Sequence, residues 1–239
     1  MATAATPRRV LVTGASRGLG LEFARRWLEG GDHVFALART VKNSSGLAEL
    51  KEKHPDTLSL FDCDVADDAS VQAAAGAVRA QWDSLDVLLN NAGVYGPRDD
   101  SIETVDLDEI RRVFEINALG PLRVSRAFLP LIRRGQQPRI VHVTSLMGSI
   151  DDNTSGGSYP YRMSKTGLNM ASRNLAHDLQ VDGVISAVIH PGWVRTDMGG
   201  AGAPLEIEDS VGAMIKTIES LVMEHSGGFF DRHGERIPW

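Results

Sequence analysis

Tyr161 and Lys165 stand four residues apart in the segment Tyr161-Arg162-Met163-Ser164-Lys165. On a helix that spacing puts both side chains on one face. A free tyrosine titrates near ~10 and exchanges protons poorly at neutrality. An ammonium one turn away favours the phenolate and brings the phenol toward a working acid–base range. Tyr159 is out of register with Lys165 and makes the poorer acid. Ser145 ends an apolar run, where a hydroxyl can donate to a carbonyl oxygen or, more plainly, cap a turn. Asn117 lies in Ile116-Asn117-Ala118-Leu119-Gly120-Pro121. Asparagine is a poor interior helix residue, and the Gly-Pro pair beside it predicts a local break. That break serves either a hydrogen-bond network or a simple kink. Tyr-x-x-x-Lys also occurs on ordinary helices, so these four residues gain meaning from what positions them.

A second set of residues could hold a phosphate. An apolar run leads into Thr13-Gly14-Ala15-Ser16-Arg17-Gly18-Leu19-Gly20, and a helix follows. Glycines there permit a tight turn and a close backbone approach to a pyrophosphate, and the helix start offers free N–H groups. The spacing differs from the standard Gly-x-Gly-x-x-Gly and lacks the Lys-Ser/Thr ending of a nucleotide-hydrolysing loop. The second apolar run ends at Arg39, with no acid until Glu49. A basic residue at that place accommodates the 2′-phosphate of NADP, whereas an acid would accept from the 2′-hydroxyl of NAD. Arg17 supplies a second guanidinium, so the expectation is NADP(H). Asp64 and Val65 close the third run, where the acid can accept from an adenine amino group while the valine packs on the ring. Asn91, Ala92 and Gly93 end the fourth, with small residues that let a flat ligand lie near the backbone. Each piece has a plain structural alternative: a turn, a solvated strand end or a helix cap.

Apolar runs at residues 9–13, 33–38, 58–62, 87–91, 139–145 and 184–190, with a weaker one near 228–230, read as buried strands. Between them lie helical patterns at 18–29, 47–53, 70–82, 106–134, 161–180 and 207–223. Gly30-Gly31 and Gly135 suit C-terminal caps. Such alternation implies right-handed crossovers and one doubly wound α/β domain over residues 1–239, with a parallel sheet of about seven strands. Long turn-rich segments at 92–104, 146–158 and 191–205 all follow strands. Ligands bind beyond the carboxyl ends of strands in open α/β sheets, so these segments should wall a site. Tyr95, Pro97, Met147, Tyr159, Trp193 and Met198 suit a moderately apolar substrate pocket or ordinary loop packing.

With 239 residues, 42% apolar content and a net charge of −6, the chain is an ordinary globular protein rather than a nucleic-acid binder. Its arginine pairs are scattered and read as solvated helix faces. Cys63 is the single cysteine, so no intrachain disulfide forms, and seven dispersed histidines give no zinc cluster. Neither a signal-peptide pattern at residues 1–9 nor an apolar run of membrane-spanning length is present, which makes a cytoplasmic setting the expectation. A methyltransferase would share the alternation and the glycine turn, but it calls for an acid where Arg39 stands and has no use for Tyr161 and Lys165.

The ordered set of residues 13–20, 90–93, Asn117, Ser145, Tyr161, Lys165 and Pro191-Gly192 resembles the short-chain dehydrogenase/reductase family over nearly the whole chain. The resemblance implies a Rossmann-type domain and a catalytic Asn–Ser–Tyr–Lys tetrad, mapping onto Asn117, Ser145, Tyr161 and Lys165. It places Asp64 and Asn91 in the cofactor site, sets Pro191, Gly192, Val194 and Thr196 against a nicotinamide, and lets Lys165 bind the nicotinamide ribose. Ser145 and Tyr161 are further apart than is usual in that family, and the extra residues fall in the Gly/Ser/Asp-rich stretch 151–158. This stretch and the ending 231–239 are similar to a carbonyl reductase-like subgroup that contains C-factor and sniffer. The implied function is NADPH-dependent reduction of a ketone or aldehyde. A signalling protein that binds NADPH with little turnover is the alternative. Family members often assemble through two long helices, here 106–134 and 161–180, so a homodimer or homotetramer is the expectation.

Overall fold

The computed structural model describes residues 6–98 and 101–239. Residues 1–5 of the N-terminal stretch and residues 99 and 100 of the 92–104 segment lie outside the described residues. Seven strands form one parallel sheet: β1 (Arg9–Thr13), β2 (His33–Ala38), β3 (Leu58–Asp62), β4 (Val87–Asn90), β5 (Arg139–Val143), β6 (Ile185–His190) and β7 (Phe229–Asp231). Their order is β3-β2-β1-β4-β5-β6-β7. The chain therefore reverses direction of travel across the sheet between β1 and β4, and a crevice opens above the carboxyl ends of those two strands. Side chains alternate across the pleat. Val10 and Val12 of β1 join one core with Phe23, Trp27 and Met214. Leu11 joins the other with Phe35, Val71, Phe128 and Ile140. Both faces are thus sealed, as apolar parallel strands require.

Helices α1 (Gly18–Glu29), α2 (Ser45–Lys53) and α7 (Ile207–Ser220) pack on the first face, and α3 (Asp68–Arg79) and α5 (Gly120–Ile132) on the second, beside α4 (Leu107–Phe114) and α6 (Tyr159–Asp178). Three of these helices start on a side-chain cap. Ser44 Oγ accepts from Leu47 N, Asp67 Oδ1 from Ala69 N and Asp106 Oδ1 from Asp108 N. Helix α1 has no side-chain cap and no acid in its first turn. Its first N–H groups are thus free of side-chain partners where it meets the crevice.

The long helix expected at 106–134 is divided. Residues Glu115–Leu119 wind as a π-helical segment between α4 and α5, with Gly120 N–H reaching back to the Glu115 carbonyl. Asn117 sits in that segment, so the predicted break is real and takes the form of one widened turn. Smaller differences are local. β5 stops at Val143, and Ser145 instead begins a short 3-10 turn (Leu146–Gly148). α6 begins at Tyr159 because Ser158 adopts a left-handed backbone, and α7 stops at Ser220. Among the described residues, no helix is long and apolar enough to cross a membrane.

Candidate active site

A cleft of about 740 Å³ runs across the carboxyl ends of β1 and β4. Its first end is built by backbone packed on backbone. Thr13 Oγ1 accepts from the N–H groups of Asn91 and Ala92, and Asn91 Nδ2 donates to the carbonyls of Thr13 and Gly14. The tips of β1 and β4 are thereby tied together. Gly14 has φ +67°, and a Cβ there would meet Ala92 Cα at 2.8 Å. A Cβ on Gly20 would lie 2.3 Å from the Gly14 carbonyl oxygen, so the first turn of α1 can seat against β1 only without one. Ser16, Arg17, Gly18 and Leu19 complete this wall, with Arg39, Asp64 and Val65 beyond them. Arg39 is exposed and, among the described residues, has no ion-pair partner. Arg17 crosses the mouth of the cleft to Asp197 at 2.7 Å. Cys63 borders the same wall, and burial pushes its thiol up to about 11, consistent with an inert residue.

The second end is built from side chains. Tyr161 and Lys165 project from the first turns of α6 and are both buried. Lys165 Nζ donates to the Val143 carbonyl at 2.8 Å and lies 5.7 Å from the Tyr161 ring centroid. Ser145 hydrogen-bonds the Tyr161 hydroxyl, and its Oγ also accepts from Met147 N at 3.2 Å. The hydroxyl is therefore both turn cap and phenol partner. Asn117 is fully engaged: Oδ1 accepts from Val94 N at 2.9 Å, and Nδ2 donates to the Val94 carbonyl and to Ser164 Oγ. This side chain fixes the loop after β4 to the π-helical segment and to α6. Gly93 lies between the two sets of groups. A Cβ on it would come 3.2 Å from Asn117 Oδ1 and 3.7 Å from Lys165 Nζ.

The electrostatics differ from the sequence expectation in one respect. Burial is the largest influence on Tyr161 and pushes its phenol up to about 12; the Ser145 hydrogen bond pulls the other way. Burial likewise pushes the Lys165 ammonium down to about 8. In this arrangement burial outweighs the lysine, because desolvation disfavours both charged forms together.

The sequence matches the short chain dehydrogenase family over residues 8–204. The chain belongs to the short-chain dehydrogenase family. It is 52% identical over 155 residues to C-signal of Myxococcus xanthus, covering 65% of this chain and 93% of that one. It resembles the NADPH-bound carbonyl reductase from chicken fatty liver with a TM-score of 0.91 and 35% identity, covering 98% and 99% of the two chains. For the carbonyl reductase Sniffer of D. melanogaster the TM-score is 0.93 and the identity 31%, covering 98% of this chain and 100% of that one. The similar structures thus include an NADPH-bound carbonyl reductase, and the fold they share with this chain is a single Rossmann-like domain.

In this dehydrogenase most of the sequence-predicted residues meet at the cleft. Gly14, Ser16, Arg17, Gly18, Leu19, Gly20, Arg39, Asp64, Val65, Asn91, Ala92, Gly93, Tyr161, Lys165, Pro191 and Thr196 line the cleft. Asn117 and Ser145 are buried just behind it, and Val194 is buried in the loop after β6. Gly192, with φ +84°, follows the cleft-lining Pro191, and a Cβ on it would meet Leu205 and Arg232. The sequence reading missed Val94, Ile116, Val143, Asp197 and Ala201 as wall residues. Only their neighbourhood to the recognised motifs could have signalled them. Arg17 was expected beside Arg39 on a phosphate, but its guanidinium is held by Asp197.

Proposed function

We propose that the protein reduces a ketone or aldehyde with NADPH, using Tyr161 as the acid. The observation that carries this reading is the meeting of Tyr161, Ser145 and Lys165 at one end of a cleft whose other end presents Arg39 and the uncapped start of α1. The residues fit a dinucleotide. The start of α1 offers N–H groups to a pyrophosphate, and the absence of side chains at Gly14, Gly20 and Gly93, where a Cβ would meet neighbouring protein atoms, lets the wall beside it pack tightly. Arg39 suits a 2′-phosphate, with Arg17 available on release from Asp197. Asp64 and Val65 suit the adenine, and Pro191 and Thr196 the nicotinamide.

When bound, NADPH supplies the hydride. Ser145 holds the substrate oxygen, and Tyr161 donates its proton to that oxygen as negative charge develops there. A neutral phenol is the form an acid needs, so the burial that keeps Tyr161 protonated serves reduction. Lys165 stabilises the phenolate that remains. Asn117 holds the loop that carries Gly93 and Val94 in place. A panel of carbonyls assayed by loss of NADPH absorbance tests the reading. Turnover that is lost in Tyr161→Phe, with NADPH binding retained, supports it; equal turnover by the two proteins rejects it. The likeness to C-signal favours a second reading, an NADPH-binding signalling protein, for which tight NADPH binding without turnover on any carbonyl is the expected result.

A further inference from the structure

One aromatic residue outside the expected catalytic set touches the phenol directly. The Tyr95 and Tyr161 rings are stacked, with centroids 4.3 Å apart and planes inclined by 19°. Tyr95 is held in three further ways. Its neighbour Val94 is held at both backbone polar groups by Asn117. Its hydroxyl donates to Met147 Sδ at 3.4 Å and lies 3.3 Å from Ser158 Oγ. The Arg98 guanidinium carbon stands over the Tyr95 ring, 4.6 Å from its centroid.

Arg98 has a second contact. Its Nη2 donates to the Met198 carbonyl, in the 191–205 loop that roofs the cleft. Its guanidinium thus joins the Tyr95 ring face to that carbonyl. Loop, guanidinium, ring and phenol therefore form one continuous file: Met198, Arg98, Tyr95, Tyr161. Lys165 closes it from within α6.

We propose that Tyr95 is a positioning residue that holds the Tyr161 phenol by ring stacking, and that Arg98 ties this stack to the 191–205 loop. The proposal rests on the reading of Tyr161 as the acid. A phenol on a helix can swing about two side-chain torsions. A ring packed flat on one face removes that freedom and excludes water from the same face. The groups facing Tyr161 are Lys165 on its own helix, Tyr95 from the loop after β4 and Ser145 from the turn after β5.

The test compares Tyr95→Met, Tyr95→Phe and Arg98→Gln with the unmodified chain. The chain has three tyrosines, so NMR of protein labelled at the tyrosine ring carbon bearing oxygen can follow each phenol separately. It needs no turnover and can be run with and without NADP+. In Tyr95→Met, water reaches the exposed face of Tyr161, the burial cost on the phenolate shrinks, and Tyr161 titrates about one unit lower. The kcat for carbonyl reduction falls about tenfold while KM changes less than twofold. Tyr95→Phe restores kcat to the unmodified value, and its Tyr161 titration falls less than in Tyr95→Met, because only the repulsion from the Tyr95 phenolate is lost. Arg98→Gln leaves the Tyr161 titration in place but lowers kcat by about threefold, through the loop.

Three results overturn the proposal: an unshifted Tyr161 titration with normal kcat in Tyr95→Met; a rise in KM alone, which makes Tyr95 a substrate wall; or a Phe variant as impaired as Met, which assigns the effect to the hydroxyl. A protein that reduces no carbonyl at all defeats the reductase reading instead, and the tyrosine titration still decides whether Tyr95 positions the phenol.

Discussion

At the nucleotide end of the cleft, backbone meets backbone: Gly20 sits where a Cβ would fall 2.3 Å from the Gly14 oxygen, and Thr13 and Asn91 bind main-chain groups of the opposite strand. At the chemical end, side chain meets side chain: Tyr95 on Tyr161, Ser145 on Tyr161, Asn117 on Ser164. The first kind of surface is shaped by what is missing and recognises a ligand through N–H groups every residue possesses. The second is shaped by specific functional groups whose ionisation depends on burial. Damage to the first should show as lost packing and lost affinity. Damage to the second should show as lost chemistry in a protein that still folds and still binds.

The sharpest separation comes from Tyr161→Phe. Carbonyl reduction should fall by about a thousandfold, while NADPH affinity, read by fluorescence, stays within about twofold. If affinity falls along with turnover, the two ends are not separable. Arg39→Asp should do the reverse. Loss of a charge-assisted contact to a 2′-phosphate lowers the preference for NADPH over NADH by about tenfold to a hundredfold, with kcat on the preferred cofactor little changed. Gly20→Ala forces a methyl group against the Gly14 carbonyl. It should cost about 1–3 kcal/mol of stability in a denaturant melt and weaken NADPH binding with it.

Acid should loosen the chemical end. His142 on β5 is buried beside Asn90, and His190 ends β6; burial pushes their imidazoles down to about 3 and about 4. An unfolded chain protonates these residues near ~6.5, whereas the folded chain does so only well below that. The unfolded state therefore binds more protons as pH falls from ~6.5, and stability that is complete above this value is lost on the way toward 4. The melting temperature should decline over this range, and His142→Leu should flatten the decline. An unchanged slope would mean that other groups govern acid unfolding. The smallest effect is expected from Asp197→Asn. The Arg17–Asp197 pair is exposed on both sides, so stability should move by less than about 0.5 kcal/mol. Freed of its partner, Arg17 should tighten NADPH about twofold to fivefold in a titration; weaker binding would show that the pair helps close the cleft.

Much of this architecture was legible before any coordinates. β1, β2, β3 and α1 run over the residues that periodicity predicted, and a broken helix was expected at Asn117. These features depend on local patterns: alternation of apolar residues, a glycine turn, a Gly-Pro pair. Other readings could not be made that way. Ser145 was expected to end β5 but caps a turn beyond it. The phenol was expected to be made more acidic by Lys165, but burial pushes it the other way.

The sequence by itself determined the order of strands and helices, the glycine turn, and the helical register that places Tyr161 and Lys165 on one face. Each is set by sterics and hydrophobic period within a few neighbouring residues. The tertiary structure alone decided which distant groups touch: Asn117 with Val94, Arg17 with Asp197, Tyr95 with Tyr161. It also decided the protonation tendencies of Tyr161 and Lys165, because desolvation depends on everything packed around a group and not on its neighbours in the chain.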